Sequence, residues 1–196
     1  MRRRQRTRRA GYTIVELVIT VTLIGIVAGF AAPRIDYQRY RADAGARVVR
    51  GVLQQAQRLA VLRQYDVIVS FDVAGNRLRV IEDANNNRGQ DGGERASWRP
   101  LEEGARFARP SGAGIGGAAV AAEVSGADVR QVGGYPSVVF HRDGAASTDL
   151  EVYLTAGSGA ESNLRGIAVT RATGRADAYR YNPGNAGAAR WLGSGL

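Results

Sequence analysis

Hydrophobic positions fall into three regimes along the chain. From Tyr12 to Ala32 they run almost unbroken, YTIVELVITVTLIGIVAGFAA, 21 residues with Glu16 as the one charged side chain. As a helix rising 1.5 Å per residue, this stretch just spans a hydrocarbon core of about 30 Å. After Pro33 the pattern becomes amphipathic. Val49, Val52, Leu53, Ala56, Leu59 and Ala60 recur at helical spacing, while Arg47, Arg50, Gln54 and Arg58 fall mostly elsewhere. The helix is expected to continue to about Gln64, giving a rod of roughly 80 Å. From Tyr65 the period shortens to two. Val67–Asp72 and Leu78–Ile81 flank Ala74-Gly75-Asn76 as a hairpin, and Ser137–His141, Leu150–Thr155, Gly166–Thr170 and Ala176–Tyr181 read as further strands. Residues 111–134, rich in Gly and Ala, read as a long loop or irregular insertion, and no internal repeat is present. The expected class is α+β: a long hydrophobic-to-amphipathic helix packed against a β-rich head.

Charge sharpens the first regime. The formal net charge is +9, yet the first eleven residues alone hold six arginines and no acid. From residue 65 onward fourteen arginines face fifteen acids. The head is balanced, so a nucleic-acid role for the whole protein loses its main support. An arginine cluster ahead of the apolar run keeps the N-terminus cytoplasmic and sends the rest across the membrane. With no cysteine, disulfide and thiolate chemistry are excluded. A secretory signal cleaved near Gly29-Phe30-Ala31-Ala32 is the competing reading, but the apolar run is long for one. A signal or a plain anchor also leaves Glu16 unexplained. A charge inside a membrane helix costs about 2.5–3.5 kcal/mol on insertion scales and marks a functional candidate.

Gly11-Tyr12-Thr13-Ile14-Val15-Glu16-Leu17, with the basic leader before it and Pro33 after the apolar run, resembles the processing motif of type IV prepilins. The resemblance implies cleavage by a prepilin peptidase between Gly11 and Tyr12 and N-methylation of Tyr12, where the family more often has Phe. It implies a leader over 1–11, a transmembrane or filament-core helix over 12–33, an amphipathic helix over 34–64 and a β-rich head over 65–196. The subunit would be stored as a single-pass protein of the inner membrane, with the head outside the cytoplasm, and then join other pilins through its N-terminal helix. Cleavage creates an α-amino group that is cationic at neutral pH. Glu16, one helical turn after Tyr12, could pair with that amine on a neighbouring subunit, and the low dielectric would strengthen the pair and fix the axial register. Gly25, Ala28, Gly29, Ala31 and Ala32 suit close helix packing, and Pro33 would kink the helix or loosen its preceding turn.

A second resemblance covers most of the chain. Gln57-Arg58-Leu59-Ala60, Glu82-Asp83-Ala84-Asn85, Gly89, Gly93-Glu94, Phe140-His141-Arg142-Asp143-Gly144, Ile167-Ala168-Val169 and Gly174-Arg175 are similar to the H-type minor pseudopilins of type II secretion and the FimT-like minor pilins. It implies two small antiparallel sheets packed against the second half of the helix. It also implies a non-catalytic filament subunit, of a type IV pilus or of a type II secretion system. Some FimT-like proteins are DNA receptors acting through a C-terminal Gly-Arg-x-Arg motif, which makes a filament-tip DNA receptor the alternative function.

The head holds few candidates for chemistry. Asp83, Asn85, Asn87, Asp91 and Glu94 stand at offsets 1, 3, 5, 9 and 12, the oxygen-ligand spacing of a calcium loop. Arg88 sits where that loop needs glycine, and no flanking helices are expected, so a polar turn is the plainer reading. Gly112-Ala113-Gly114-Ile115-Gly116-Gly117 matches a dinucleotide fingerprint but lacks the βαβ frame that would give it meaning. His141, the single histidine, comes with no catalytic partner motif. Trp98 and Trp191 read as packing residues or a cap over the core. Arg165, Arg171, Arg175 and Arg180, interleaved with Tyr179 and Tyr181, form the DNA-binding candidate. Gly174-Arg175-Ala176-Asp177 carries an acid where the receptor motif has its second arginine, which favours a solvated strand face.

Overall fold

The structure is a computed structural model that describes residues 11–31, 37–101 and 104–194. The chain divides into two compact units, Met1–Asp36 and Tyr37–Leu196.

The first unit contains helix α1, Ile14–Ala31. Its start is written locally: the Thr13 hydroxyl accepts the Glu16 N–H at 3.2 Å, the first half of a Thr-x-x-Glu capping box. Along the helix the hydroxyls of Thr20 and Thr22 donate to the carbonyls of Glu16 and Val18 at 2.7 and 2.8 Å, so these polar groups are satisfied within an apolar segment. Each large apolar side chain from Ile14 to Val27 is at least 51% exposed. The helix has 18 residues, about 27 Å long, against the 12–33 expected. Ala32 and Pro33 lie outside the described residues, as does the leader before Gly11. Among the described residues no helix is long and apolar enough to cross a membrane.

The second unit begins with α2, Tyr37–Arg63. It buries Ala42, Gly45, Ala46, Val49, Val52, Leu53, Ala56 and Ala60, the apolar stripe expected with Leu59 only partly buried, extended two turns upstream. Two antiparallel sheets pack on it. One is five-stranded in the order β3-β2-β1-β7-β6, from β1 Asp66–Asp72, β2 Arg77–Asp83, β3 Arg95–Pro100, β6 Arg130–Val132 and β7 Tyr135–Phe140. The other has the order β11-β10-β9-β8-β4, from β4 Ala105–Phe107, β8 Leu150–Ala156, β9 Arg165–Val169, β10 Ala176–Tyr181 and β11 Trp191–Ser194, with β5 Val124–Ser125 also on β8. The main core joins α2 to the inner faces of both sheets through Val49, Leu53, Val69, Phe71, Phe140 and Leu154. Roughly 25 cal/mol per Å² of buried apolar surface makes this cluster the principal source of stability.

The β1–β2 hairpin pairs Asp72 with Arg77 across its turn. Its Asp72 carboxylate accepts the Gly75 N–H and the Arg77 Nε–H at 2.8 and 2.7 Å. The bond from Arg77, then that from Gly75, holds the Asp72 carboxyl below its ordinary pKa. Five strands escaped the alternation pattern. β3 is exposed along both faces and reads Arg-Ala-Ser-Trp-Arg-Pro, while β4, β5, β6 and β11 have two to four residues each. The stretch 111–134 is correspondingly not all loop: it holds β5, β6 and an Ala113–Ala119 bridge.

Candidate functional site

Gly11, Tyr12 and Thr13 lead into α1 without regular secondary structure, with Tyr12 exposed. Glu16 sits in the first turn, where the partial positive charge of the helix N-terminus favours a carboxylate. Among the described residues nothing bonds to that carboxylate; only its backbone N–H and carbonyl are used. Among the described residues α1 is thus a predominantly apolar helix carrying one unpaired acid near its beginning.

In the head, three residues behind the second resemblance, Gln57, Gly144 and Gly174, come together. Gln57 on α2 donates from Nε2 to the carbonyls of Gly144 and Thr173 at 3.1 and 2.6 Å. These lie in two turns distant in sequence, and both turns need glycine. Gly174 has φ +62°, and a Cβ there would stand 2.2 Å from the Gly144 carbonyl oxygen. The similarity at these positions therefore reports a packing clasp between helix and turns.

The four arginines of the DNA-binding candidate do not form one surface. Arg165 and Arg180 face each other across β9 and β10 and both grip Asp43 of α2. Arg165 is 3% exposed and also donates to the carbonyls of Ser162 and Leu164. Arg175, by the β9–β10 turn, pairs with Asp177 at 2.9 Å, the very acid that departs from the receptor motif. Arg171 is exposed beside Asp149, whose carboxylate accepts its backbone N–H at 2.7 Å. Arg165 is buried, and the exposed Arg175 and Arg180 are each paired with an acid, which leaves these three less to offer a phosphate; the arrangement gives the DNA reading no support.

The 83–94 loop is held together by the oxygens assigned to calcium. Asp83 is fully buried, and its carboxylate accepts the N–H groups of Asn87 and Arg88 at 3.1 and 2.6 Å. Asn85 and Asn87 accept the N–H groups of Asn87 and Gly89, and both donate their amides to Asp91. Glu94 accepts the Asp91 N–H at 3.0 Å, leaving its Oε1 buried without a partner. Arg88 takes the left-handed conformation, φ +62°, that glycine would supply at that offset. Among the described residues no group of three or more acidic, histidine or cysteine side chains could hold a metal ion. The spacing is accounted for by loop capping.

The 112–117 glycines form a loop pinned from β8. The Ile115 N–H donates to the Tyr153 hydroxyl at 3.1 Å and the Gly116 N–H to Glu151 at 2.7 Å. Burial, then the hydrogen bond to Glu151, pushes the Tyr153 phenol above its ordinary pKa. Trp191 is a packing residue, as expected, buried with Tyr153 and Tyr181, and it also donates to the Ala113 carbonyl of this loop at 2.9 Å. His141 Nδ1 lies 3.0 Å from the Asp66 carboxylate. Trp98 differs from the packing role expected. It is 36% exposed on β3, under the Arg77 guanidinium at 4.0 Å and edge-on to Tyr135. Behind it Arg79 is buried, donating to Gln90 and the Val132 carbonyl.

An apolar helix that follows an arginine-rich stretch and a glycine in the sequence, and a second unit of two sheets packed on a second helix, make a pilin-like fold. The prokaryotic N-terminal methylation motif matches over residues 6–32 and the type II transport protein GspH over residues 45–173. The chain belongs to the GspH family of type II transport proteins. Two solved structures of the minor pseudopilin EpsH from the type II secretion system of Vibrio cholerae are similar to it. One is 14% identical over 74% of this chain and 99% of the other, with a TM-score of 0.46. The second is 18% identical over 76% and 98%, with a TM-score of 0.44. No curated protein matches the chain.

Proposed function

We propose that this protein is a minor pseudopilin of a type II secretion system. It is stored in the inner membrane with its head outside the cytoplasm, cut by a prepilin peptidase between Gly11 and Tyr12 and methylated at Tyr12. It then joins a filament of other pseudopilins through α1 and takes no part in catalysis. One observation carries the reading: α1 exposes apolar side chains all round and offers a single unpaired acid, Glu16, four residues after the new terminus. Such a surface is stable only in lipid or against other helices. In a filament the Glu16 carboxylate meets the terminal amine of a neighbour, and an unpaired charge at low dielectric penalises any other register. GspH family membership favours the secretion system over the pilus.

Mass spectrometry of the assembled protein should find an N-terminus at methylated Tyr12. Glu16→Ala should be processed normally and fail to enter the filament, and deletion of the gene should stop secretion while leaving twitching pili intact. A mature terminus near Ala32, or normal incorporation of Glu16→Ala, refutes the assembly reading.

A further inference from the structure

The open sheet edges of the head are unequal. β4 and β6 have three residues, β5 two and β11 four, whereas β3 has six. Natural sheets keep edges short because an unpaired row of N–H and C=O groups is a template for another strand. Among the described residues β3 bonds to β2 alone. The Leu101 N–H donates to the Asn76 carbonyl at 3.0 Å, one step beyond the Arg77–Pro100 pair. Bonded and non-bonded pairs alternate along an antiparallel ladder. Arg95, Ser97 and Arg99 therefore bond toward β2, and Ala96 and Trp98 turn their N–H and C=O to the open side. Pro100, which has no N–H, falls in the open-side phase, where β2 loses nothing.

The side chains of this edge divide by face. Arg95, Ser97 and Arg99 are in register with Glu82, Val80 and Leu78 and share their face toward α2. Between β3 and α2 runs a groove of about 200 Å³. Val52, Ala56, Leu59 and Val80 give it an apolar floor, and Arg63, Arg95 and Arg99 line its rim. Among the described residues Glu82 is the one acid lining it, and it already accepts the Tyr65 hydroxyl and faces Arg95 at 3.7 Å. Among the described residues neither Arg63 nor Arg99 meets a carboxylate. On the other face Trp98 presents its ring beside Arg77.

We propose that β3 is a docking edge for an extended acidic segment of a partner protein, which adds to the sheet as a sixth strand. An added strand points every second side chain to the groove face. Apolar residues there meet the α2 floor, and flanking acids meet the arginine rim. Main-chain bonds to Ala96 and Trp98 supply affinity, and the groove supplies selectivity. The arginines that invite an acidic strand repel the same edge of a second copy, since like charges opposed across strands are destabilising. This docking does not rest on the filament reading.

The test uses the full-length protein in detergent micelles and short random peptides displayed on phage, panned at low salt. Selection should enrich peptides alternating acidic and apolar residues, and a synthetic copy should slow hydrogen exchange at the Ala96 and Trp98 amides. Ala96→Pro removes one open-side N–H and no bond to β2, so it should weaken binding about tenfold, the order of one lost backbone bond. Arg99→Glu should do at least as much and reduce the salt dependence, since Arg63 and Arg95 remain on the rim. Should Ala96→Pro lower the melting temperature, the exposed Arg99→Glu variant decides. Enrichment of basic or uncharged peptides, protection elsewhere, or failure to select any peptide that these variants lose overturns the proposal. So does a DNA duplex that loses affinity in Arg99→Glu but not in Ala96→Pro.

Discussion

Asp43 shows how one carboxylate on a helix organises a distant sheet. It holds Arg165, almost wholly buried, and Arg180, half-exposed at 50%. The two arms should differ in weight, because removing the partner of a buried charge costs far more than removing a screened one. Asp43→Ala is expected to destabilise the head by about 3 kcal/mol, since Arg165 keeps only its two carbonyl acceptors. Arg180→Ala should cost less than about 1 kcal/mol. Urea denaturation of both variants measures the difference, and equal small losses would show that the network does little for stability. These arginines were legible in sequence as a basic run near the C-terminus. Their partner was not, because Asp43 lies more than a hundred residues upstream and only packing of α2 on β9 and β10 brings it within reach.

At the scale of elements, the 83–94 loop is the best test of spacing against geometry. Its offsets suit a cation, but Asp83 spends both carboxylate oxygens on backbone N–H groups. Hydrogen bonds to a charged acceptor are worth about 1.5–3 kcal/mol each, so Asp83→Ala should lower stability by about 2–4 kcal/mol, allowing for a replacement water. Millimolar calcium should leave the melting temperature of the unaltered protein where it is. A calcium-dependent rise abolished by Asp83→Ala and Glu94→Ala would restore the cation reading, because a ligand bound only by the folded state stabilises it by mass action. Elements with strong periodicity were legible: α2, the β1–β2 hairpin, β7, β8, β9 and β10 fall within a few residues of expectation. β3 was missed because period-two alternation signals a strand with one buried face, and β3 buries neither.

For the whole molecule, the two units follow opposite rules. Unit Tyr37–Leu196 turns the apolar stripe of α2 inward onto two sheets. The protein with residues 1–36 removed is therefore expected to be soluble without detergent, monomeric and cooperative in thermal unfolding. Circular dichroism and sedimentation check this, and aggregation or a gradual melt would mean that the head depends on α1. Neighbouring residues alone fix the regimes and their chemistry. An unbroken apolar run with one acid, a Thr-x-x-Glu helix start, a 3.6-residue stripe and period-two strands are local properties, written in neighbouring side chains. The glycine-bounded processing motif is likewise contiguous, so it could be read without a fold. Only the tertiary structure decided that Arg165 is spent on Asp43, that Asp83 caps its own loop, and that Gln57 clasps the turns of Gly144 and Gly174. It alone left β3 as the longest open edge. Each of these depends on which distant segments share a face, and burial and strand register set that, not the spacing of residues along the chain.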